Sequence, residues 1–219
     1  MDSVIAEKFI KANDNCYTSN VDRTISEITI HHMACVSSSE KCGEFFASNG
    51  THGSAHYGIG VEGDVCQYVL EKDCAWDSPA YLNNISIECS NSNTNNYEVS
   101  DATMVSLIKL LIDITKRYNL YPLEIGKTLT WHSMYDNTIC PGNYLIMHMK
   151  NIATIVNTLI KGNEENKDNK LNDWSEDGVI WCMIKGIIKG DNNGNLMLRK
   201  ECTREEMCVM LKRCADNIK

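Results

Sequence analysis

The chain has 219 residues, of which 43% are hydrophobic and 23% charged, proportions typical of a globular protein and not of a disordered, collagen-like or coiled-coil chain. Its formal charge of -8 gives no electrostatic attraction to nucleic acid or to an anionic membrane, because both bind basic surfaces. No apolar run approaches the ~20 residues that span a bilayer. We therefore expect a globular protein that binds neither nucleic acid nor a membrane.

Short segments rich in β-branched or aromatic residues predict five strands, and longer segments with a helical period predict three helices. In chain order these are a strand at 26–30, a helix at 40–47, strands at 55–61, 65–70 and 85–89, a helix at 100–118, a strand at 128–131 and a helix at 144–160. Glu62 to Asp64 has the residues of a hairpin turn, and Ser100 is a predicted N-cap. Strands interleaved with helices predict an α/β domain, a mixed central sheet covered by helices.

The ten residues from Lys161 to Lys170 include no apolar side chain and therefore predict a linker. The predicted division is a first domain at 1–160, a linker at 161–172 and a small, mainly helical C-terminal domain at 173–219. In the last of these, a helical stretch opens at Asp173, and Thr203 and Glu206 have the spacing of a capping box.

Metal-competent side chains stand at the ends of two predicted strands. His31 and His32 end the first strand, and alternation places them on opposite faces of the sheet, so only one of them can reach a given site. His132 follows the strand at 128–131, and a loop that turns back would bring it close to Cys140. Two imidazoles and a thiolate suit zinc, and three protein ligands leave the fourth tetrahedral position open, as in catalytic sites.

The order of these residues resembles the type 2 N-acetylmuramoyl-L-alanine amidases, zinc enzymes of phage endolysins and bacterial autolysins that share a fold with peptidoglycan recognition proteins. The resemblance covers about Ile28 to Ile160 and rests on His31-His32, Ser54 to Asp64, Ala75-Trp76, Ile85 to Glu88, and His132 to Cys140-Pro141-Gly142. It implies that His31, His132 and Cys140 are the zinc ligands and that His32 is a neighbour of the metal.

The same resemblance implies a peptidoglycan hydrolase, an endolysin that lyses the host by cutting the amide between N-acetylmuramic acid and L-alanine with zinc-activated water. Glu88 matches the family's glutamate beside the metal and is the expected general base. Thr138 stands where the family often has lysine, and we expect it to donate a hydrogen bond to the oxyanion. The related Ala-Trp-His pattern reads Ala75-Trp76-Asp77 here.

Two other functions stay open. Recognition proteins of this fold can lose zinc and still bind muropeptides, so a non-catalytic peptidoglycan-binding protein is the alternative, although the complete ligand set favours the enzyme. A thiol amidase with Cys140 as nucleophile is disfavoured, because a Cys-His enzyme does not require a second histidine at position 31. Met1 to Asn13 lacks the features of a signal peptide, so we expect synthesis in the bacterial cytoplasm and action on the wall after release.

The tail resembles one S-layer homology repeat, a module that binds secondary cell-wall polymers. The matching residues are Trp174, Gly186 to Asp191, Gly194 and Thr203 to Glu206. The resemblance implies a cell-wall-binding domain at 173–219, with Arg204 as a candidate polymer contact. A unit of ~47 residues is marginally stable alone, so self-association into a homo-oligomer and packing on the amidase domain are both open.

Overall fold

The computed structural model describes residues 1–80, 82–165, 169–191 and 195–217, except for the side chains of 163–165. The chain forms two compact units, Met1–Ala153 and Thr154–Lys219. The first unit contains β1 (Lys8–Phe9), β2 (Tyr17–Thr18), β3 (Glu27–His32), α1 (Ser39–Ala47), β4 (Tyr57–Ile59), β5 (Val65–Gln67), β6 (Cys74–Ala75), β7 (Asn84–Cys89), α2 (Asp101–Arg117), β8 (Leu129–Trp131), a 3₁₀ turn (His132–Met134) and the start of α3 (Asn143–Glu165). In the described part of the chain, no helix combines the length and apolar character that crossing a membrane requires.

A six-stranded mixed sheet forms the centre of the first unit, with the strand order β1-β5-β4-β7-β3-β8. β3 is parallel to β7 on one side and to β8 on the other, and β4 is parallel to β7. β5 runs antiparallel to β4 and parallel to β1. β2 and β6 form a separate antiparallel pair. The predicted α/β architecture, a mixed sheet covered by helices, is confirmed.

The five predicted strands correspond to β3, β4, β5, β7 and β8, and the three predicted helices correspond to α1, α2 and α3. The sequence did not predict β1, β2 or β6. Each of these has only two residues, which is too short to carry a periodic pattern. They form because a neighbouring strand offers unpaired backbone groups, which is information that the local sequence does not contain.

Two local predictions that shape the sheet and its covering helix are confirmed. The hairpin between β4 and β5 turns at Gly63, whose φ of +87° and whose approach to the backbone of Ala102 both require a residue without Cβ. Ser100 caps α2, because its Oγ accepts a hydrogen bond from the Thr103 N–H at 3.0 Å. The apolar stripe of α2 is fully buried: Leu107, Leu110, Leu111 and Ile114.

The parallel strands β3, β7 and β8 bring their carboxyl ends to one edge of the sheet, where α/β proteins commonly bind ligands. In this register His31 on β3 pairs with Glu88 on β7, and Ile30 pairs with Trp131, the last residue of β8. His132 follows directly. Residues 101 positions apart in the sequence, His31 and His132, thus become neighbours.

A buried polar network lies beside this edge, around the imidazole of His56. The Nε2–H of His56 donates to the carbonyl of Asp73 at 3.1 Å, and its Nδ1 accepts the backbone N–H of Ser86 at 3.0 Å. The Arg23 guanidinium lies 3.2 Å from Nε2. Burial and the neighbouring Arg23 charge lower the pKa of His56 to about 4.

Acid is expected to destabilise the protein through His56. Between the ordinary pKa of ~6.5 and the folded pKa of about 4, the unfolded chain binds a proton that the folded protein excludes. The free energy of unfolding should therefore fall as the pH drops through this window, by about 3 kcal/mol in total. Urea unfolding at pH 7, 6 and 5 measures the slope. His56→Gln, which cannot take the proton, should show a shallower slope, and a wild-type slope in that variant would assign the acid sensitivity to other groups.

The second unit contains a 3₁₀ turn at Asp173–Ser175, α4 at Glu176–Ile184 and α5 at Arg204–Asn217. The predicted capping box of α5 is confirmed: Glu206 N–H donates to Thr203 Oγ1 at 3.1 Å, and Thr203 N–H donates to Glu206 Oε2 at 2.8 Å. Residues 192–194, which belong to the predicted turn of the S-layer-like motif, lie outside the described residues.

The predicted linker at 161–172 begins inside α3. α3 continues to Glu165, so the first half of the charged segment is helical even though it contains Gly162 and Asn163, which are weak helix formers; the helix has already been nucleated by the apolar residues upstream. Residues 166–168 lie outside the described residues. Asn169 is buried, with 4% of its surface exposed, because its Oδ1 accepts the Met197 N–H at 2.7 Å. At Asn169 the predicted linker therefore contains a polar residue that is buried.

Candidate metal centre

Three predicted site residues converge at the carboxyl edge of the sheet. His31, His132 and Cys140 each direct one ligand atom into a common space, and these atoms all lie within 4.8 Å of one another. The Nδ1 atoms of the two histidines are 3.2 Å apart, and Cys140 Sγ is 3.7 Å from His31 Nδ1. Metal–ligand bonds of ~2.0 Å to nitrogen and ~2.3 Å to sulfur in a tetrahedron require separations of about 3.3 Å between two nitrogens and about 3.5 Å between nitrogen and sulfur, close to the two distances above. Donor chemistry and spacing both fit zinc.

The loop from His132 to Cys140 turns back on itself, as its placement between two metal-competent residues predicted. His132 begins the 3₁₀ turn after β8, and the Ser133 N–H donates to the Cys140 carbonyl at 3.0 Å, which closes the loop. Cys140 Sγ accepts the backbone N–H of His32 at 3.3 Å, a contact that holds the sulfur at the end of β3. The ring of His32 packs edge-to-face on Tyr97 and is not part of the three-residue group.

Asp77 contacts the opposite side of the His31 ring. His31 Nε2 is 3.3 Å from Asp77 Oδ2, and both side chains are only 2% exposed. The same oxygen accepts a hydrogen bond from Asn84 Nδ2 at 2.6 Å. Burial is the largest single influence and opposes the charged forms, but hydrogen bonds and neighbouring charges together outweigh it, so the pKa of His31 is raised and the pKa of Asp77 is lowered. From the sequence, Asp77 was noted only because it replaces the histidine of the related Ala-Trp-His pattern, and its contact with His31 was not predicted.

Glu88 stands beside the three-residue group on the neighbouring strand. Its Oε2 is buried and has no hydrogen-bond partner among the described residues. Burial raises the pKa of Glu88, as does the nearby Asp77 charge, although His31 acts in the opposite direction. A carboxylate with a free oxygen and a raised pKa is suited to taking up a proton and releasing it again.

A cleft of about 400 Å³ opens over the group and contains every predicted site residue. Its lining includes His31, Glu88, His132, Thr138, Cys140 and Trp76. Thr138 Oγ1 accepts the Cys140 N–H at 3.2 Å, so the hydroxyl is held in place and still has its own proton to donate. The structure thus gathers all five residues that the sequence nominated.

Several solved structures have a similar fold. PlyL gives a TM-score of 0.56 at 16% identity, over 68% of this chain and 95% of PlyL. The catalytic domain of XlyA gives 0.55 at 13% identity, over 66% of this chain and 95% of that domain. A mutant endolysin from Bacillus subtilis gives 0.55 at 12% identity, over 68% and 97% of the two chains. At these identities the similarity establishes the fold.

No curated protein sequence matches the chain significantly. A sequence model of the N-acetylmuramoyl-L-alanine amidase family, however, matches residues 21–143, which is more than half of the 219 residues. The matched segment contains the three metal-type side chains, Glu88 and Thr138. The chain belongs to the N-acetylmuramoyl-L-alanine amidase family.

Proposed function

We propose that this protein is a zinc-dependent peptidoglycan hydrolase, an endolysin-type enzyme that cuts the amide bond between the lactyl group of N-acetylmuramic acid and L-alanine. The observation that carries the proposal is the convergence of His31, His132 and Cys140 beside a carboxylate oxygen of Glu88 that has no partner among the described residues. Family membership indicates which bond is cut, and this cluster contains the groups that would cut it.

The three ligand residues would hold zinc, which when bound supplies Lewis acidity that polarises the scissile carbonyl and acidifies water. Glu88 Oε2 takes one proton from the attacking water and delivers it to the nitrogen of L-alanine as the carbon–nitrogen bond breaks. The products are the free lactyl carboxylate and a stem peptide with a new amino terminus. Thr138 donates its hydroxyl hydrogen to the carbonyl oxygen as negative charge develops there.

One alternative has specific geometric support. Asp77, His31 and Cys140 stand in the order of a thiol catalytic triad, with a carboxylate on one ring nitrogen and a sulfur 3.7 Å from the other. A triad leaves His132 unexplained, however. If the Nε2–H of His31 donates a hydrogen bond to Asp77, the Nδ1 lone pair faces the Nδ1 of His132 at 3.2 Å, and a shared cation satisfies both nitrogens. This contact favours a metal site.

The proposed reaction is tested by identifying the new chemical ends in digested walls. Amidase action releases L-alanine amino termini and no new reducing sugars, whereas a glycosidase does the reverse. Purified walls incubated with the protein should therefore show amino-terminal L-alanine at a rate proportional to enzyme concentration. Binding to walls without release of either end would support the non-catalytic peptidoglycan-binding alternative.

We further propose that the first domain, 1–160, acts on the wall and that the tail, 173–219, holds the protein there by binding a secondary cell-wall polymer. The support is the resemblance of the tail to an S-layer homology repeat. The second unit also has a groove of about 470 Å³, whose apolar lining carries basic side chains, Lys189, Lys200 and Arg213, and acidic ones, Glu201, Glu205 and Glu206. Arg204 is exposed at the start of α5 and is a candidate contact.

A chain truncated after Glu165, at the end of α3, is expected to keep zinc and to cleave soluble muropeptides at the full rate, because every proposed catalytic residue lies upstream. The truncated chain should no longer bind intact walls. The rate of whole-cell lysis should therefore fall by up to ~10²-fold, a typical effect of losing a second binding module. Wall pull-down and turbidity assays measure the two effects. Unchanged wall binding after truncation would reject the anchoring role, and lost cleavage of soluble substrate would indicate a stabilising role for the tail.

A further inference from the structure

His31 is held between two sets of partners. Its Nδ1 faces His132 and Cys140, and its Nε2 faces the carboxylate of Asp77. An imidazole bound to a metal through one nitrogen must carry its proton on the other, and the group that accepts that proton decides how the ring is oriented.

Asp77 is itself rigidly supported. The amide of Asn84 donates to Asp77 Oδ2 at 2.6 Å and to Thr29 Oγ1 at 2.9 Å. Thr29 lies two residues before His31 on β3, and therefore on the same face of the sheet. Side-chain contacts thus link Thr29 to Asn84, Asn84 to Asp77, and Asp77 to His31. This network begins and ends on β3. Such a network resists rotation of the His31 ring.

The second oxygen of Asp77 lacks a hydrogen-bond partner in the described part of the chain. Asp77 Oδ1 is buried and has no hydrogen-bond partner among the described residues. A buried carboxylate with one unsatisfied oxygen is costly unless a cation lies nearby. Arg23 already interacts electrostatically with Asp77, and a divalent cation held by the three ligand residues would add positive charge on the far side of the His31 ring.

We propose that Asp77 is the positioning residue of the metal centre: it accepts a hydrogen bond from the Nε2–H of His31, fixes the ring so that Nδ1 faces the metal, and strengthens zinc binding through its negative charge. This inference rests on the proposed zinc site. It also explains why this chain has aspartate after Ala75-Trp76: at this position the side chain contacts His31.

Zinc affinity tests the proposal directly. Competition with a chromophoric chelator measures the Kd for zinc of the full-length wild type, Asp77→Ala, Asp77→Asn and Asp136→Asn. We expect Asp77→Ala to weaken zinc binding by about 10–100-fold, the usual effect of removing the carboxylate partner of a ligating histidine. Asp77→Asn keeps an acceptor oxygen and loses the charge, so its loss should be smaller. Asp136→Asn removes an exposed carboxylate from the rim beside His132, and its Kd should match wild type.

The visible spectrum of the cobalt-substituted protein distinguishes ring positioning from general stabilisation. The ligand-field bands should shift in Asp77→Ala, because the orientation of His31 changes, and should be restored towards wild type in Asp77→Asn. An unchanged zinc Kd and an unchanged cobalt spectrum in Asp77→Ala would overturn the proposal, as would an equal loss of affinity in Asp136→Asn. Failure of the wild type itself to bind zinc would instead reject the zinc-dependent function.

Discussion

Replacement of His132 by alanine is expected to remove bound zinc and peptidoglycan hydrolysis together. The wild-type protein should contain about one zinc per chain, because two imidazoles and a thiolate bind this metal firmly. With His132 removed, only two protein ligands remain, and we expect zinc affinity to fall by more than the ~100-fold upper range for loss of a supporting contact. On one preparation, metal analysis after dialysis measures the loss of zinc, and the release of amino-terminal L-alanine from walls measures the loss of hydrolysis.

The matched control is His148→Ala, since this histidine lies on α3 outside the three-residue group. It should retain zinc and activity. Chelation of the wild type provides an independent check: activity should disappear with the metal and return when zinc is added back. Full activity in a zinc-free preparation would contradict the metal mechanism and would favour the thiol alternative, in which alkylation of Cys140 abolishes turnover.

Glu88→Gln is expected to slow hydrolysis by at least ~10²-fold while leaving the zinc content normal. Glutamine has the shape of glutamate but cannot accept a proton from water, and the loss of a general base typically costs 10²–10⁴-fold in rate. The unfolding midpoint should not fall, because Glu88 Oε2 has no hydrogen bond among the described residues that the substitution could break. Rates on a soluble muropeptide, zinc content and thermal unfolding are measured side by side.

Glu62→Gln is the control for this experiment, because it makes the same chemical change at an exposed hairpin turn. It should leave all three measurements at wild-type values. Wild-type turnover by Glu88→Gln would show that another group takes the proton. A loss of zinc in that variant would instead indicate that Glu88 supports the metal.

Local chemistry explains why so much of the fold could be predicted. The strands β3 and β7 carry alternating Ile residues, α2 carries an apolar stripe, and Ser100 and Thr203 begin helices through hydrogen bonds to residues three positions away. Gly63 turns the hairpin because its positive φ requires glycine. In each case the residues that interact lie within a few positions of one another, so the pattern can be read from the sequence.

The chemistry of the site was also partly present in the sequence. The residue types at the ends of the strands predicted zinc, but alternation alone left His31 and His32 as equal candidates. The resemblance to the amidases nominated His31, and the structure brings His31 to His132 and Cys140 and turns the His32 ring towards Tyr97. That outcome depends on the parallel pairing of β3 with β7 and β8.

The sequence by itself determined the elements, the hairpin, the helix caps and the kinds of side chain available for chemistry. Only the tertiary structure decided the short strands, the continuation of α3 to Glu165, the burial of Asn169 and the contact between Asp77 and His31. Asp77 lies 46 positions from His31, and no periodicity or turn chemistry links residues so far apart. Contacts of this kind form when sheet register and loop closure bring distant segments together, so they depend on the whole domain and not on any local stretch of the chain.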